Sequence, residues 1–313
     1  MLFRSYRENE MIIKVKEPLE EEFLLLKPGQ ILFTFLHLAA AKPLTDALLS
    51  RKVTGIAYET ITNEARQLPI LKPMSEVAGR LAVQEGAKYL EKPFGGRGIL
   101  LGGITRVEPG HVVVLGANGA AGYNATQIAL GMQAKVTALD LRFDHVVDLM
   151  KKYPNTLTML PSNETNILHA LKTADLVIST VLIPGDAAPK LIKKAYLKTM
   201  QPGSVIVDVA IDQGGSTETS HVTYHDQPVY EIDGVLHYCV ANMPGAVPRT
   251  STIGLNEATL PFGLAIANKG VLQALKEDAH LAHGLNTYDG YLTYPPLATL
   301  FKKPLKSLTD VIG

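Results

Sequence analysis

The residues with the clearest chemical potential lie in the stretch VVVLGANGAAGYNATQIALGMQAKVTALD at 112–140. A β-branched run, Val112–Leu115, meets Gly116, Gly119 and Gly122, then a helix-forming segment, then a second apolar run ending in Asp140. Strand, glycine turn, helix, strand and acid in this order describe the first half of a dinucleotide-binding unit. A helix N-terminus presents unpaired N–H groups and a positive dipole end, so a pyrophosphate can rest there. An acid closing the next strand accepts from ribose hydroxyls and repels a 2′-phosphate, which favours NAD over NADP. The spacing is G-x-x-G-x-x-G, so the turn is one residue longer than the usual fingerprint or begins at Ala117. An ordinary tight βα turn is the competing reading.

Four further residues could carry chemistry. His37 follows the apolar run Ile31–Phe35, as a site residue or as a core histidine with a satisfied hydrogen bond. Asp212 lies where an apolar strand meets Gly214-Gly215, as a functional acid or a turn cap; Asp208, inside that strand, reads as structural. Asn242, before Met243-Pro244-Gly245, either contacts a nicotinamide or small substrate or braces the turn. Arg249, before Thr250-Ser251-Thr252, reads as part of a capped helix start. The other histidines lack metal-ligand spacing, and His280 and His283 read as one solvent-facing helical pair. Cys239 reads as buried and unreactive. No serine nucleophile elbow is present.

The elements that position these residues alternate. Met11–Val15, Ile31–Phe35 and Thr54–Tyr58 read as strands, with helix at Glu20–Pro28 and Leu44–Ser50 between them. Lys16, His37 and Glu59 follow the three strands, at the edge where open α/β sheets bind ligands. A helix is expected over Ser75–Leu90 with Ser75 as its N-cap. After the glycine turn come helices at Phe143–Lys152, Glu164–Leu171 and Ala188–Lys198, with strands at Thr156–Leu160, Asp175–Ser179 and Ser204–Val209. Val229–Ile232 and Leu236–Val240 flank Asp233-Gly234 as a hairpin. Helices Leu255–Lys269 and Val271–Ala279 and a loop-rich tail complete the chain. The expected fold is α/β: a doubly wound parallel-sheet domain at 70–245, inserted into a second, discontinuous α/β domain made of 1–69 and 246–313. Substrate and cofactor are expected in a cleft between the two.

Composition narrows the function classes. With 30 basic and 30 acidic residues the formal net charge is zero, which gives no footprint for nucleic acid or an anionic membrane. A single cysteine excludes an internal disulfide framework and fits a reducing compartment. The first residues carry no signal-peptide pattern and the apolar runs are too short to span a bilayer, so the expected location is cytoplasmic.

Several stretches together resemble L-alanine dehydrogenases. They are Lys14–Pro18, Leu36–Ala39, Met74–Arg80, Ala210–Gly215, Tyr238–Gly245 and Val247–Thr252, so the resemblance runs through nearly everything from Met11 onward. The proton-translocating transhydrogenases share the architecture without these motifs. The resemblance implies a Rossmann domain, NAD as cofactor, and L-alanine, pyruvate and ammonium as small-molecule reactants. It also implies a homo-oligomer, a hexamer. It gives Lys16 the substrate carboxylate or carbonyl, His37 the keto oxygen or the proton of an adding water, and Asp212 a share in acid/base transfer. Ser75 falls to the cofactor phosphates, Asp140 to the adenosine ribose and Ser162 to the adenine side. Asn242 and Met243 border the nicotinamide, and Gly116, Gly119, Ala120, Ala121, Gly122, Val181, Leu182, Ile211, Asp212 and Val240 complete the cofactor set.

Two departures qualify the resemblance. One is the longer glycine turn. The other is at the start, where the family has a further βα segment whose arginine clamps the substrate carboxylate; Arg4 and Arg7 lie in no such motif. The alternative expectation is therefore a truncated, catalytically impaired nucleotide-binding or assembly homologue. A third reading, a quinone-reductase-like enzyme prompted by the glycine spacing, is opposed by Asp140.

Overall fold

The computed structural model describes residues 2–181 and 188–313, which divide into two compact units. One comprises Met1–Pro73 with Thr252–Gly313, and the other Met74–Ser251.

The first unit opens with α1 (Leu2–Glu8). Its anchor is Tyr6, buried, whose hydroxyl donates to Glu22 Oε1 at 3.2 Å. Then come β1 (Met11–Ile13), β2 (Ile31–Thr34), α2 (Lys42–Ser50) and β3 (Thr54–Ala57). The helix expected at Glu20–Pro28 is a shorter 3-10 turn, Glu20–Leu25. The three strands are parallel neighbours, in register Met11↔Ile31 and Ile31↔Thr54. Their apolar side chains pack on α2 through Leu32, Leu44 and Leu48.

The second unit begins inside α3 (Leu71–Tyr89). This helix starts four residues before Ser75, because Pro73 fits a first turn that lacks N–H partners anyway. Ser75 is therefore not an N-cap. Then follow β4 (His111–Leu115), α4 (Ala120–Gly131), β5 (Lys135–Asp140), α5 (Val147–Lys152), β6 (Leu157–Pro161), α6 (Glu164–Leu171) and β7 (Leu176–Ser179). The unit closes with α7 (Lys194–Leu197), β8 (Val205–Asp208), β9 (Val229–Ile232) and β10 (Val235–Tyr238). The expected helix Ala188–Lys198 shrinks to α7, because residues 188–192 run extended against 213–217, with a bridge Ile192↔Thr217.

The sheet order is β6-β5-β4-β7-β8-β10-β9, parallel except for the β9–β10 hairpin. Asp233 (φ 51°) and Gly234 (φ 79°) make that hairpin's turn, both left-handed as a type I′ turn requires. Counting β4 as first, the order reverses between β4 and β7, the switch point where doubly wound sheets bind nucleotides. Val112 and Val114 enter one hydrophobic layer with Leu81 and Ala82 of α3; Val113 and Leu115 enter the opposite layer with Ile167 and Leu171 of α6. Both faces are covered, which is why these strands read as unbroken apolar runs.

The chain returns to the first unit along α8 (Pro248–Lys269), followed by α9 (Val271–Glu277), α10 (Ala279–Ala282), β11 (Leu285–Tyr288), β12 (Tyr291–Leu292), α11 (Pro295–Phe301) and α12 (Leu308–Ile312). β11 pairs antiparallel with β3 and completes a five-stranded sheet, β1-β2-β3-β11-β12. Those two strands fall in the tail that had read as loop-rich. Among the described residues no helix is long and apolar enough to cross a membrane.

Candidate active site

In the second unit, β4 ends at Leu115 and Gly116 follows, whose φ of +81° lets the chain turn sharply. Its N–H donates to Leu139 O at 2.9 Å, tying the turn to β5. Thr180 and Val181, just beyond β7, back it: a Cβ on Gly116 would lie 3.0 Å from Thr180 Oγ1 and 3.1 Å from Val181 Cγ2. Gly122 fills the packing role, since its added Cβ would come within 2.1 Å of Gly116 O. Gly119 differs: it is exposed, has φ −73°, and its Cβ would meet only Gly116 O, at 3.5 Å. It is the N-cap of α4 and supplies no side-chain cap to the first N–H groups of that helix. The added length of the turn is absorbed by Asn118, which is buried. Its N–H donates to Asp140 Oδ2 (2.8 Å), and its Oδ1 accepts the N–H of His145 (2.8 Å).

Asp140, at the end of β5, is thus partly committed. Oδ1 accepts Leu141 N–H (2.7 Å) and Arg142 N–H (3.2 Å), and Oδ2 the Asn118 bond. Oδ2, with a single partner, keeps a lone pair for a ligand hydroxyl. Ser162 sits beside it, its N–H donating to Asp140 O at 2.8 Å. Ser75 is half-buried within α3, and Ile211, Val240 and Met243 are buried. Leu182 lies outside the described residues.

Asp212 lies in a 3-10 turn, Val209–Gln213, at the end of β8. Asp208 builds this loop: buried, it accepts from Ala210 N (3.2 Å), Ser216 N (2.8 Å), Thr217 N (3.3 Å), Ser216 Oγ (3.1 Å) and Ser220 Oγ (2.6 Å). Asp212 itself is exposed, and Asn242 N–H approaches its Oδ2 at 3.5 Å, the outer limit of a hydrogen bond. Asn242 holds a left-handed φ of 56° before the 3-10 turn Met243–Ala246. These two residues, separate in the sequence, stand together. Arg249 lies in the first turn of α8, and Ser251 donates its hydroxyl to Pro244 O (2.7 Å) rather than capping the helix. Cys239 is buried, which pushes its thiol up to about 11.

In the first unit, His37 follows β2 with φ 47°, an uncommon backbone state for a side-chain-bearing residue. Glu59, from the turn after β3, enforces it: its carboxylate accepts the N–H of His37 (2.6 Å) and of Leu36 (3.1 Å). Glu17 Oε2 lies 3.0 Å from His37 Nδ1 and fixes the ring, which also stacks on Phe35. Burial alone would depress the imidazole, but the Glu17 hydrogen bond and the Glu59 charge outweigh it and hold His37 above its ordinary value, with Lys16 opposing. Burial likewise works to raise Glu17, yet the His37 hydrogen bond prevails and keeps it low. Lys16, half-buried, acts on both groups through its charge, so Lys16, Glu17, His37 and Glu59 form one electrostatic cluster. Lys16, His37 and Glu59 stand at the strand ends where the sequence puts them, whereas the bonds of Glu17 and Glu59 to His37 appear only in the structure. In the sequence the two glutamates signal by position alone. His280 and His283 both face Thr62, with His283 Nδ1 2.7 Å from its hydroxyl, so the pair is not simply solvated. Among the described residues no His, Cys, Asp and Glu group could hold a metal ion.

Residues 3–78 match the N-terminal domain of the alanine dehydrogenase/PNT family and residues 82–295 its C-terminal domain. The chain is 57% identical over 296 residues to an alanine dehydrogenase of Methanococcus maripaludis, covering 94% of this chain and 79% of that protein. It is 54% identical over 290 residues to an alanine dehydrogenase of Bacillus subtilis, covering 92% and 76%. A solved L-alanine dehydrogenase superposes with TM-score 0.87 at 48% identity, over 94% of this chain and 81% of that one. A Sinorhizobium meliloti transhydrogenase shares the fold at TM-score 0.74 and 22% identity, over 94% and 82%. By both domains and by these identities, the chain belongs to the alanine dehydrogenase/PNT family.

Proposed function

We propose that the chain catalyses the reversible NAD-dependent oxidative deamination of L-alanine to pyruvate and ammonium. The observation that carries this reading is His37: a histidine held in a strained backbone state by one carboxylate, with its ring fixed by a second. Strain of this kind persists only where surrounding groups over-determine it, and it concentrates at sites of chemistry.

The second unit suits a dinucleotide. The open face at Gly119, the uncapped start of α4 and the position at the strand-order reversal accommodate a pyrophosphate. Asp140 would take the ribose hydroxyls, Ser162 the adenine side, Ser75 the phosphate region, and Val181, Leu182, Ile211, Val240, Asn242 and Met243 the nicotinamide half. When bound there, NAD supplies the hydride acceptor. The protein's own work is binding and proton handling. The Lys16 ammonium attracts the substrate carboxylate or carbonyl. His37, with Nδ1 engaged by Glu17, carries the moving proton on Nε2. It takes that proton as water adds to the imine carbon, and ammonia then leaves to give the ketone. In the reverse direction protonated His37 polarises the keto oxygen. Asp212 shares this acid/base transfer. The same reading makes the protein a cytoplasmic homohexamer.

The test is NADH formation by the purified chain from NAD and L-alanine. Turnover is expected, with a loss of about 100-fold or more in His37→Ala and Asp212→Asn while cofactor binding persists. Cofactor binding without turnover by the unmodified chain overturns the proposal, as does full activity in either variant.

A further inference from the structure

The loop that carries Asp212 is held from one side by a single segment. Ala188 N–H donates to Gln213 O (3.1 Å), and the N–H groups of Leu191 and Ile192 donate to Ser216 O (2.7 and 3.2 Å). Gly214 O and Gly215 O receive the Lys190 ammonium at 2.5 and 2.8 Å, and Thr217 O, which also accepts Ser220 N–H at 3.1 Å, receives it at 3.2 Å. Residues 188–192 thereby engage every carbonyl from 213 to 217. The N–H side is equally complete: Gly214 bonds to Ile211 O, Gly215 to Ala210 O, and Ser216 and Thr217 to the Asp208 carboxylate. Gly214 and Gly215 are both left-handed (φ 87° and 73°), a curl that is kept only while its polar groups have partners.

We infer that Lys190 is a positioning residue for Asp212, its ammonium serving as a tethered monovalent cation within a ring of three main-chain oxygens. The match is chemical. An ammonium has three donors and no acceptor, and here it meets three acceptors in charge-assisted bonds. A ring of carbonyl oxygens is also what coordinates a dehydrated potassium ion. Lys190 is exposed, so a free cation can reach the ring if the side chain is removed. The inference rests on the acid/base role proposed for Asp212.

The experiment compares unmodified protein, Lys190→Ala and Lys190→Met in choline, potassium and rubidium chlorides at equal ionic strength. In choline chloride, Lys190→Ala should lose about tenfold or more in kcat, as a misplaced acid does, with the KM for NAD little changed. Potassium or rubidium should restore most of that kcat and raise the variant's melting temperature. The unmodified protein should respond to neither ion, and Lys190→Met, whose apolar chain still fills the ring, should not be rescued. A Lys190→Ala enzyme with normal kcat in choline overturns the inference; so does one equally impaired in all three salts. If the unmodified protein makes no NADH, the functional proposal has failed. The ion-specific melting shift of Lys190→Ala then decides the cation ring by itself, and its absence overturns it.

Discussion

Two glycines three residues apart should fail in different ways. An alanine at 122 would put its Cβ 2.1 Å from Gly116 O and 2.7 Å from Ala117 Cα. Both are backbone atoms, so no rotamer change relieves the clash, and α4 must move off the turn. Overpacking a core costs about 1–3 kcal/mol, and a rigid backbone contact belongs at the upper end, about 3 kcal/mol. At roughly 2–4 °C of melting temperature per kcal/mol, Gly122→Ala should melt about 6–12 °C lower without any ligand. Gly119→Ala meets only one atom at 3.5 Å and keeps an ordinary φ of −73°, so its ligand-free melting point should stay within about 1 °C. Its cost should appear on binding, because the added methyl stands where a phosphate must approach the α4 N–H groups. A tenfold rise in Kd, about 1.4 kcal/mol, is the expected size. The chain has no tryptophan, so the reduced nicotinamide's own fluorescence reads binding cleanly beside thermal scans of the ligand-free protein. Equal melting points for Gly122→Ala and the parent, or unchanged affinity in Gly119→Ala, would refute this division of labour.

Glu17→Gln should lower the His37 pKa, since the Glu17 hydrogen bond is the largest influence raising it. Alanine oxidation, which needs neutral imidazole, should then reach its plateau at lower pH, and pyruvate reduction should weaken near neutrality; unchanged pH profiles would count against the pairing. The stability sign follows from the two directions of shift. The His37 contribution is complete below the ordinary imidazole value and lost as pH rises through the raised one; the Glu17 contribution is present above the ordinary carboxylate value and lost as pH falls through the depressed one. Urea midpoints of parent and Glu17→Gln should therefore differ most between those limits and draw closer in alkali, where the His37 contribution is lost and the Glu17 contribution stays. Cys239, buried with its thiol pushed up to about 11, should react with a disulfide reagent at mildly alkaline pH only after denaturation; rapid labelling of the native protein would contradict that burial.

The parts of the molecule that a reader of the sequence can anticipate are those where burial and repetition coincide. Val112–Leu115 and Leu176–Ser179 are buried on both faces, and their apolar runs announce it. The glycine turn is legible because φ and close packing leave no other residue possible at 116 and 122. β11 stays hidden for the opposite reason. Its Asn286 and Thr287 are buried, but each is satisfied: Asn286 Nδ2 donates to Thr60 Oγ1 (2.8 Å), and Thr287 Oγ1 to Val53 O (3.0 Å). Buried polar residues with distant partners look like loop in one dimension. Glu17 and Glu59 are hidden in the same way, since a carboxylate whose partner lies 20 or 22 residues away leaves no trace in local pattern. Asn118 shows the limit of motif spacing, because only its bonds to Asp140 and His145 reveal where the extra length of the turn goes.

The pairing of β3 with β11 governs the order in which the protein can form. Thr287 Oγ1 accepts Gly55 N–H at 3.0 Å across 232 residues of sequence, so the strand beside the His37–Glu59 cluster lacks one neighbour until residues 285–288 have been made. Residues 74–251 are contiguous and can fold as they emerge, whereas residues 1–73 wait with apolar strand surface uncovered, a contact of long range and slow closure. That interval is when an unfinished chain is most exposed to chaperones, proteases and aggregation. A stop codon just before Leu285 would therefore strip β3 of this neighbour and remove Tyr294, whose phenol feels the Glu59 charge.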